Sequence, residues 1–201
     1  MVWKSRERVC RIIKLKKFIY LISPKNINNE FYVNLDKVLS YGNVKFFQLR
    51  LKNKNKSTII NISKKIKRIT KKYNVKFILN DDYNLALIVK ADGCHIGQRD
   101  GSLTAARKKL KKGILGITCH NSIALAEKAI ENNPNYLAFG SFFKSNLKPK
   151  AKRINLSVLK LAKKKFKTSL VAIGGINNFN YKRLIKSGAK YIAISSFIWD
   201  N

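Results

Sequence analysis

The sequence predicts an α/β chain folded as a single (β/α)8 barrel, and three observations predict it. Short apolar, β-rich runs alternate with lysine-rich amphipathic stretches, the pattern of strands followed by crossover helices. The alternation completes eight times between Phe18 and Phe197, and eight such units close naturally into a barrel. The runs are apolar through most of their length, as strands of a parallel sheet covered by helices must be. A doubly wound open sheet is the alternative; no G-x-G-x-x-G opens the first strand-to-helix turn, which counts against it.

Each unit has its own punctuation. FIYLIS (18–23) reads as the first strand and stops at Pro24, and FYVNLDKVLSYG reads as its helix. VKFFQLRLK is the second strand, followed by STIINISKKIKRITKKY with Ser57 as candidate N-cap. VKFILND and the short helix YNLALIVK make the third unit; GCHIG and SLTAARKKLKKG make the fourth. ILGITCH with SIALAEKAIENN, then YLAFGSFF with NLSVLKLAKKKF, repeat the pattern. SLVAIGGI with NYKRLIKSG is the seventh unit, and YIAISSF is an eighth strand with no clear helix after it.

Composition sets limits. The 201 residues suit one domain, and no apolar run approaches the eighteen or so residues that a membrane-spanning helix needs. Three widely spaced cysteines, with no CxxC pair, suggest neither a disulfide framework nor a zinc site and fit a reducing, cytoplasmic setting. The net charge of +33 would attract polyanions, yet the lysines are spread along the whole chain as solvated faces. With no RNP pair, zinc finger or GXXG loop, no specific nucleic-acid partner is expected. Residues 1–16 read as a basic N-terminal extension or extra helix ahead of a barrel domain at 17–201; the segment contains Glu7 and lacks the apolar core of a signal peptide.

In such a barrel, chemistry gathers at the C-terminal ends of the strands. Those ends carry Gln48, Arg50 and Lys52 at alternate positions, Asn80-Asp81, His95 and Gly97 toward Asp100, Thr118 to His120, Gly174-Gly175, and Ser195-Ser196. Acidic residues are scarce, ten against 43 lysines and arginines, yet Asp81, Asp82, Asp92 and Asp100 fall close together. Asp82 reads as the start of a helix, where its charge meets the N-terminal dipole, and Asp92 as turn chemistry in ADG. His95, inside a short strand, reads as a packed, hydrogen-bonded histidine. His120 has the setting of an acid–base group.

The stretches FFQLRLK, FILNDDYNLALIVKADGCHIGQRD, LAFGSFFKSNLKPKA and VAIGGI, in that order, resemble the family of thiamine phosphate synthase and the TenI-like thiazole tautomerase, over roughly residues 17–199. The resemblance implies a Mg²⁺-dependent transferase that joins a pyrimidine methyl diphosphate to a thiazole phosphate and expels pyrophosphate. It implies Asp81 and Asp100 as magnesium ligands. Gln48, Arg50, Lys52 and Asn80 would hold the pyrimidine diphosphate, with Thr118, Ser145 and Lys148 contacting substrate. Gly175 and Ser196 would form the thiazole-phosphate cradle, with Ser195, where the family commonly has a hydrophobic residue, a further substrate-binding candidate. Among these, Arg50, Thr118 and Lys148 are the catalytic candidates.

The chain departs from that pattern at Leu51 and Asn53, which replace acids, and at Lys144, Ser145 and Leu147 in the loop after the sixth strand. Leu147 cannot donate to phosphate, a loss of roughly 1–3 kcal/mol of binding. Two other readings therefore stay open: a metal-free tautomerase, and a non-catalytic basic protein that binds nucleic acid or regulates. No membrane partner is expected, and homo-oligomerisation is left open.

Overall fold

The computed structural model describes residues 18–144 and 153–200; the predicted N-terminal extension, Ser145 and Lys148 lie outside these. The eight apolar runs form strands β1 (Ile19–Ile22), β2 (Val44–Leu49), β3 (Lys76–Asn80), β4 (Gly93–Ile96), β5 (Ile114–His120), β6 (Tyr136–Gly140), β7 (Ser169–Ile173) and β8 (Tyr191–Ile194). All pair in parallel with their sequence neighbours, and β8 returns to β1 through Leu21 and Ile194, closing the barrel. The helices between them are α1 (Asn29–Ser40), α2 (Lys56–Lys72), α3 (Tyr83–Ile88), α4 (Leu103–Leu110), α5 (Ile123–Ile130), α6 (Ser157–Lys165) and α7 (Tyr181–Lys186).

Three local expectations are corrected. β2 ends at Leu49, so Arg50 and Lys52 lie past the strand rather than on its face. Arg50 leaves the ladder because its backbone N–H donates to the Ser23 hydroxyl at 3.0 Å. The N-cap of α2 is Asn55, not Ser57: the Asn55 carboxamide oxygen accepts from Thr58 N at 2.8 Å, and the Ser57 hydroxyl itself donates to that oxygen. After β8 there is a short helix, α8 (Ser196–Trp199), whose Trp199 indole donates to the Ile22 carbonyl at 2.6 Å.

Because side chains alternate along a strand, the barrel carries two cores. Outward residues such as Leu21, Phe47, Phe77 and Ile117 pack under the helices. Inward ones, including Tyr20, Phe46, Ile78, Tyr136, Val171 and Tyr191, fill the interior. Tyr20 and Phe46 each lie against Tyr136, with ring centroids 5.4 and 5.7 Å away. Gly116 on β5 makes room for this plug, since a Cβ there would sit 1.9 Å from the Tyr136 ring. Cys94 and Cys119 are buried outward; burial pushes the Cys119 thiol up to about 12, so neither suits nucleophilic work.

The end of the barrel at the strand N-termini is tied by side chains. Asp92 accepts from Phe77 N and pairs with Lys76, both at 2.9 Å, which gives the ADG aspartate a structural task. Arg107 of α4 does more, reaching the carbonyls of Lys111, Gly113, Asn132 and Asn133 and the Asn135 side chain at 2.6–3.1 Å for its terminal nitrogens and 3.2 Å for Nε. One planar fork thus fastens the helix ends beside β5 and β6. Arg107→Ala should cost about 2 kcal/mol by denaturant melting, with Arg107→Lys recovering little, because an ammonium cannot span five acceptors. Turnover per folded molecule should be unchanged, as this end lies opposite the strand C-termini.

Candidate active site

The strand C-termini share one rim, and a cavity of about 430 Å³ opens there. Its walls include Arg50 after β2, Thr118 of β5, Gly175 after β7, and Ser195 and Ser196 after β8. With Gly174 and His120, seven of the residues singled out in the sequence meet in one space. The ends of β1, β2 and β8 are laced together behind them. Ser195 Oγ donates to the Ser23 carbonyl at 3.1 Å, while the Ser23 hydroxyl accepts from Arg50 N. The Ser195 proton is committed to the main chain, so Ser195 shapes the wall.

Gly174 and Gly175 give the cavity its bare backbone. Their φ angles are +106° and +61°, in the left-handed region that glycine adopts without strain. A Cβ on Gly175 would stand 2.2 Å from the Lys144 carbonyl oxygen. The loop is held from behind by the Asn180 side chain, which donates to Gly175 O at 2.9 Å. An oxyanion can approach such a backbone closely.

The acidic pair, like Lys52, is not among the cavity walls; its link to them is Arg50, whose charge acts on Asp81. Asp81 follows β3 with φ +71°, a conformation aspartate tolerates better than most residues, and its N–H donates to His95 O at 2.8 Å. Asp100, in the loop after β4, accepts from Gly97 N at 2.7 Å. Burial, then the hydrogen bond and charge of Asp100, raise the Asp81 pKa above the ordinary carboxylate value, while Lys52 and Arg50 pull it down. Lys52 Nζ stands 3.5 Å from Asp81 Oδ2. Two crowded carboxylates call for a shared proton or a cation between them. Among the described residues no cluster of three or more histidine, cysteine or acidic side chains offers a metal cage. Two carboxylates alone fit a hard ion such as Mg²⁺, which takes its other oxygens from phosphate and water.

Below the cavity floor runs a chain of polar groups that the sequence did not single out as a unit. Gln48 is buried and donates from Nε2 to Tyr20 Oη at 2.9 Å. Tyr20 and Tyr136 join hydroxyl to hydroxyl at 2.6 Å, and Tyr136 Oη is 3.1 Å from His95 Nδ1. His95 Nε2 lies 2.8 Å from Thr118 Oγ1. Burial pushes both phenols above their ordinary value, so both keep their protons. His95 is thus packed and hydrogen-bonded, while the other histidine, His120, lines the cavity in an exposed, positive-φ position.

Asp82 caps α3, accepting from Leu85 N at 2.9 Å. Asn80 ends β3 in register with His95 and is not among the cavity walls. Lys25, Asn121 and Ser141 are, and nothing in the sequence pointed to them. Lys25 follows β1, which closure of the barrel sets beside β8, a neighbour 170 or so positions away; Ser141 follows directly on the glycine that ends β6. The sole sequence signal for such residues is position after a strand end.

The thiamine monophosphate synthase family model matches residues 19–198 of the chain. A thiamine-phosphate synthase of Pelagibacter ubique is 51% identical over 187 residues, covering 92% of this chain and 90% of that protein. One from Saccharophagus degradans is 44% identical over 161 residues, with 79% and 74% covered. Among solved structures, thiamine phosphate pyrophosphorylase from Pyrococcus furiosus superposes with a TM-score of 0.80 at 29% identity, covering 95% of this chain and 91% of that one. Among the described residues no helix is long and apolar enough to cross a membrane. With its fold, its rim and its relatives in agreement, the chain belongs to the thiamine monophosphate synthase family.

Proposed function

We propose that the protein is a thiamine-phosphate synthase, condensing 4-amino-2-methyl-5-(diphosphooxymethyl)pyrimidine with thiazole phosphate and releasing pyrophosphate. The observation that carries this reading is the mutual electrostatic effect of the Asp81 and Asp100 carboxyl groups, flanked by Lys52 and by Arg50, which is itself a wall of the glycine-lined cavity. A diphosphate leaving group needs that sequence of charges. The C–O bond to the pyrimidine methylene breaks with its electron pair going to diphosphate, and the thiazole nitrogen fills the empty orbital.

In this reading Asp81 and Asp100 hold Mg²⁺. When bound, the ion neutralises charge building on the departing oxygens. Arg50 and Lys52 supply fixed positive charge to the same oxygens, a stabilisation that grows as the bond breaks. The backbone N–H groups of Gly175 and Ser196 orient the thiazole phosphate, so the ring nitrogen faces the methylene. Thr118 offers its hydroxyl to the pyrimidine substrate from the cavity wall. Gln48 acts from beneath the cavity and Asn80 from the end of β3. Ser145 and Lys148 are assigned to the diphosphate, and residues 1–16 to a basic extension ahead of the barrel domain. The site serves small molecules in the cytoplasm, with no nucleic-acid partner.

The exposed His120 on the cavity wall favours a second reading, a TenI-like tautomerase needing no metal. One assay separates the two. Pyrophosphate release from the two substrates should require Mg²⁺ and stop with EDTA. Isomerisation of the thiazole alone, persisting in EDTA, would replace the first reading with the second.

A further inference from the structure

The chain Gln48–Tyr20–Tyr136–His95–Thr118 crosses the barrel interior from β2 to β5 and ends on a cavity wall. Its protons can be placed by elimination. The Gln48 Nε2 amide group only donates, so toward Gln48 the Tyr20 oxygen accepts. Within the chain the Tyr20 proton then has one acceptor, Tyr136 Oη. Tyr136, already accepting from Tyr20, places its own proton on His95 Nδ1. A neutral imidazole whose Nδ1 accepts carries its hydrogen on Nε2, and that hydrogen points at Thr118 Oγ1. Thr118 has accepted a hydrogen bond from below, so its own O–H is released toward the cavity.

We infer that this relay is a positioning device: Gln48, through Tyr20, Tyr136 and His95, makes Thr118 a hydrogen-bond donor to the ligand. The consequence is a specificity rule. The substrate atom meeting Thr118 is an acceptor, a phosphate oxygen or an unprotonated ring nitrogen, and a group with only N–H to offer, such as an ammonium, is refused. Reversing every bond would instead turn the Thr118 proton downward and offer the ligand a lone pair. The two arrangements differ in one observable, the nitrogen of His95 that carries hydrogen. Head-to-tail bonds of this kind also reinforce one another in a dry interior, which favours one sense over a mixture.

This inference rests on the synthase reading for its effect on turnover, but not for the proton order itself. The chain contains two histidines, so ¹⁵N-histidine labelling gives two ring systems, and His95→Asn assigns them. The expected spectrum of the full-length wild type has His95 protonated at Nε2 alone. In Tyr136→Phe the ring should become a mixture of tautomers, and kcat should fall about tenfold, the loss expected for one buried hydrogen bond, with KM for both substrates nearly unchanged. Tyr20→Phe, one step further from the ring, should act in the same direction and serves if Tyr136→Phe does not fold. A wild-type ring carrying hydrogen on Nδ1, or on both nitrogens, overturns the relay. So does a folded tyrosine variant in which either the tautomer or kcat stays put. If the wild type makes no thiamine phosphate, the synthase reading falls while the spectrum still decides the proton order.

Discussion

Asp81→Asn and Asp100→Asn should each lower kcat/KM by about a thousandfold or more, with excess Mg²⁺ failing to restore it. Each change keeps the shape of the side chain and removes one of the two negative charges beside Lys52 and Arg50. A variant turning over near the wild-type rate would remove the carboxylate pair from the mechanism. Stability should move the opposite way. The Asp81 pKa stands above its ordinary value of 3.8 in the folded chain, through burial and then Asp100. The folded state therefore holds the proton more tightly than the unfolded state. Its stabilising contribution is complete below the unfolded value and lost as pH rises through the folded one. At neutral pH the ligand-free wild type carries that loss, and asparagine at position 81, unable to ionise, does not. The melting temperature of ligand-free Asp81→Asn should thus exceed that of the wild type. The gain should shrink when Mg²⁺ stabilises the wild type. Loss of the Lys52 partner is a small opposing effect, because that pair is exposed and 3.5 Å long.

Gly175→Ala should raise KM for thiazole phosphate by about a hundredfold, with a smaller change for the pyrimidine diphosphate. At φ +61° any other residue is strained, by about 1–2 kcal/mol in this region. The added methyl would meet the Lys144 carbonyl at 2.2 Å, and a main-chain oxygen cannot swing aside as a side chain would. Relief requires the loop after β7 to retreat, and its N–H groups retreat with it. Charge-assisted hydrogen bonds of about 1.5–3 kcal/mol each would weaken, which is the source of the hundredfold. Steady-state kinetics with each substrate varied in turn measures this. An unchanged KM for thiazole phosphate would place its phosphate elsewhere.

The barrel was legible because its signal is local. Each apolar run and each amphipathic helix is written within a dozen residues, and their alternation implies closure without any long-range contact being known. The carboxylate pair was legible for a different reason: in a chain so rich in lysine, four neighbouring aspartates stand out, and the family resemblance selects Asp81 and Asp100 from them. Asp82 and Asp92 then fell to the helix cap and the strand tie that local chemistry suggests. Element ends were less legible. Asn55 and Ser57 are both competent caps, and the choice depends on which first reaches the third helical N–H. Arg50 looked like a strand residue until the Ser23 hydroxyl, just past the end of β1, took its backbone N–H. The relay under the cavity was hidden most deeply. Tyr20, Gln48, His95, Thr118 and Tyr136 lie on five strands, and only the register of the closed sheet shows that their tips meet.

The aromatic plug formed by Tyr20, Phe46, Tyr136 and Tyr191 also governs traffic. With the axis filled by these rings, the described residues leave no passage along it. Traffic is thereby left to the rim where the cavity opens.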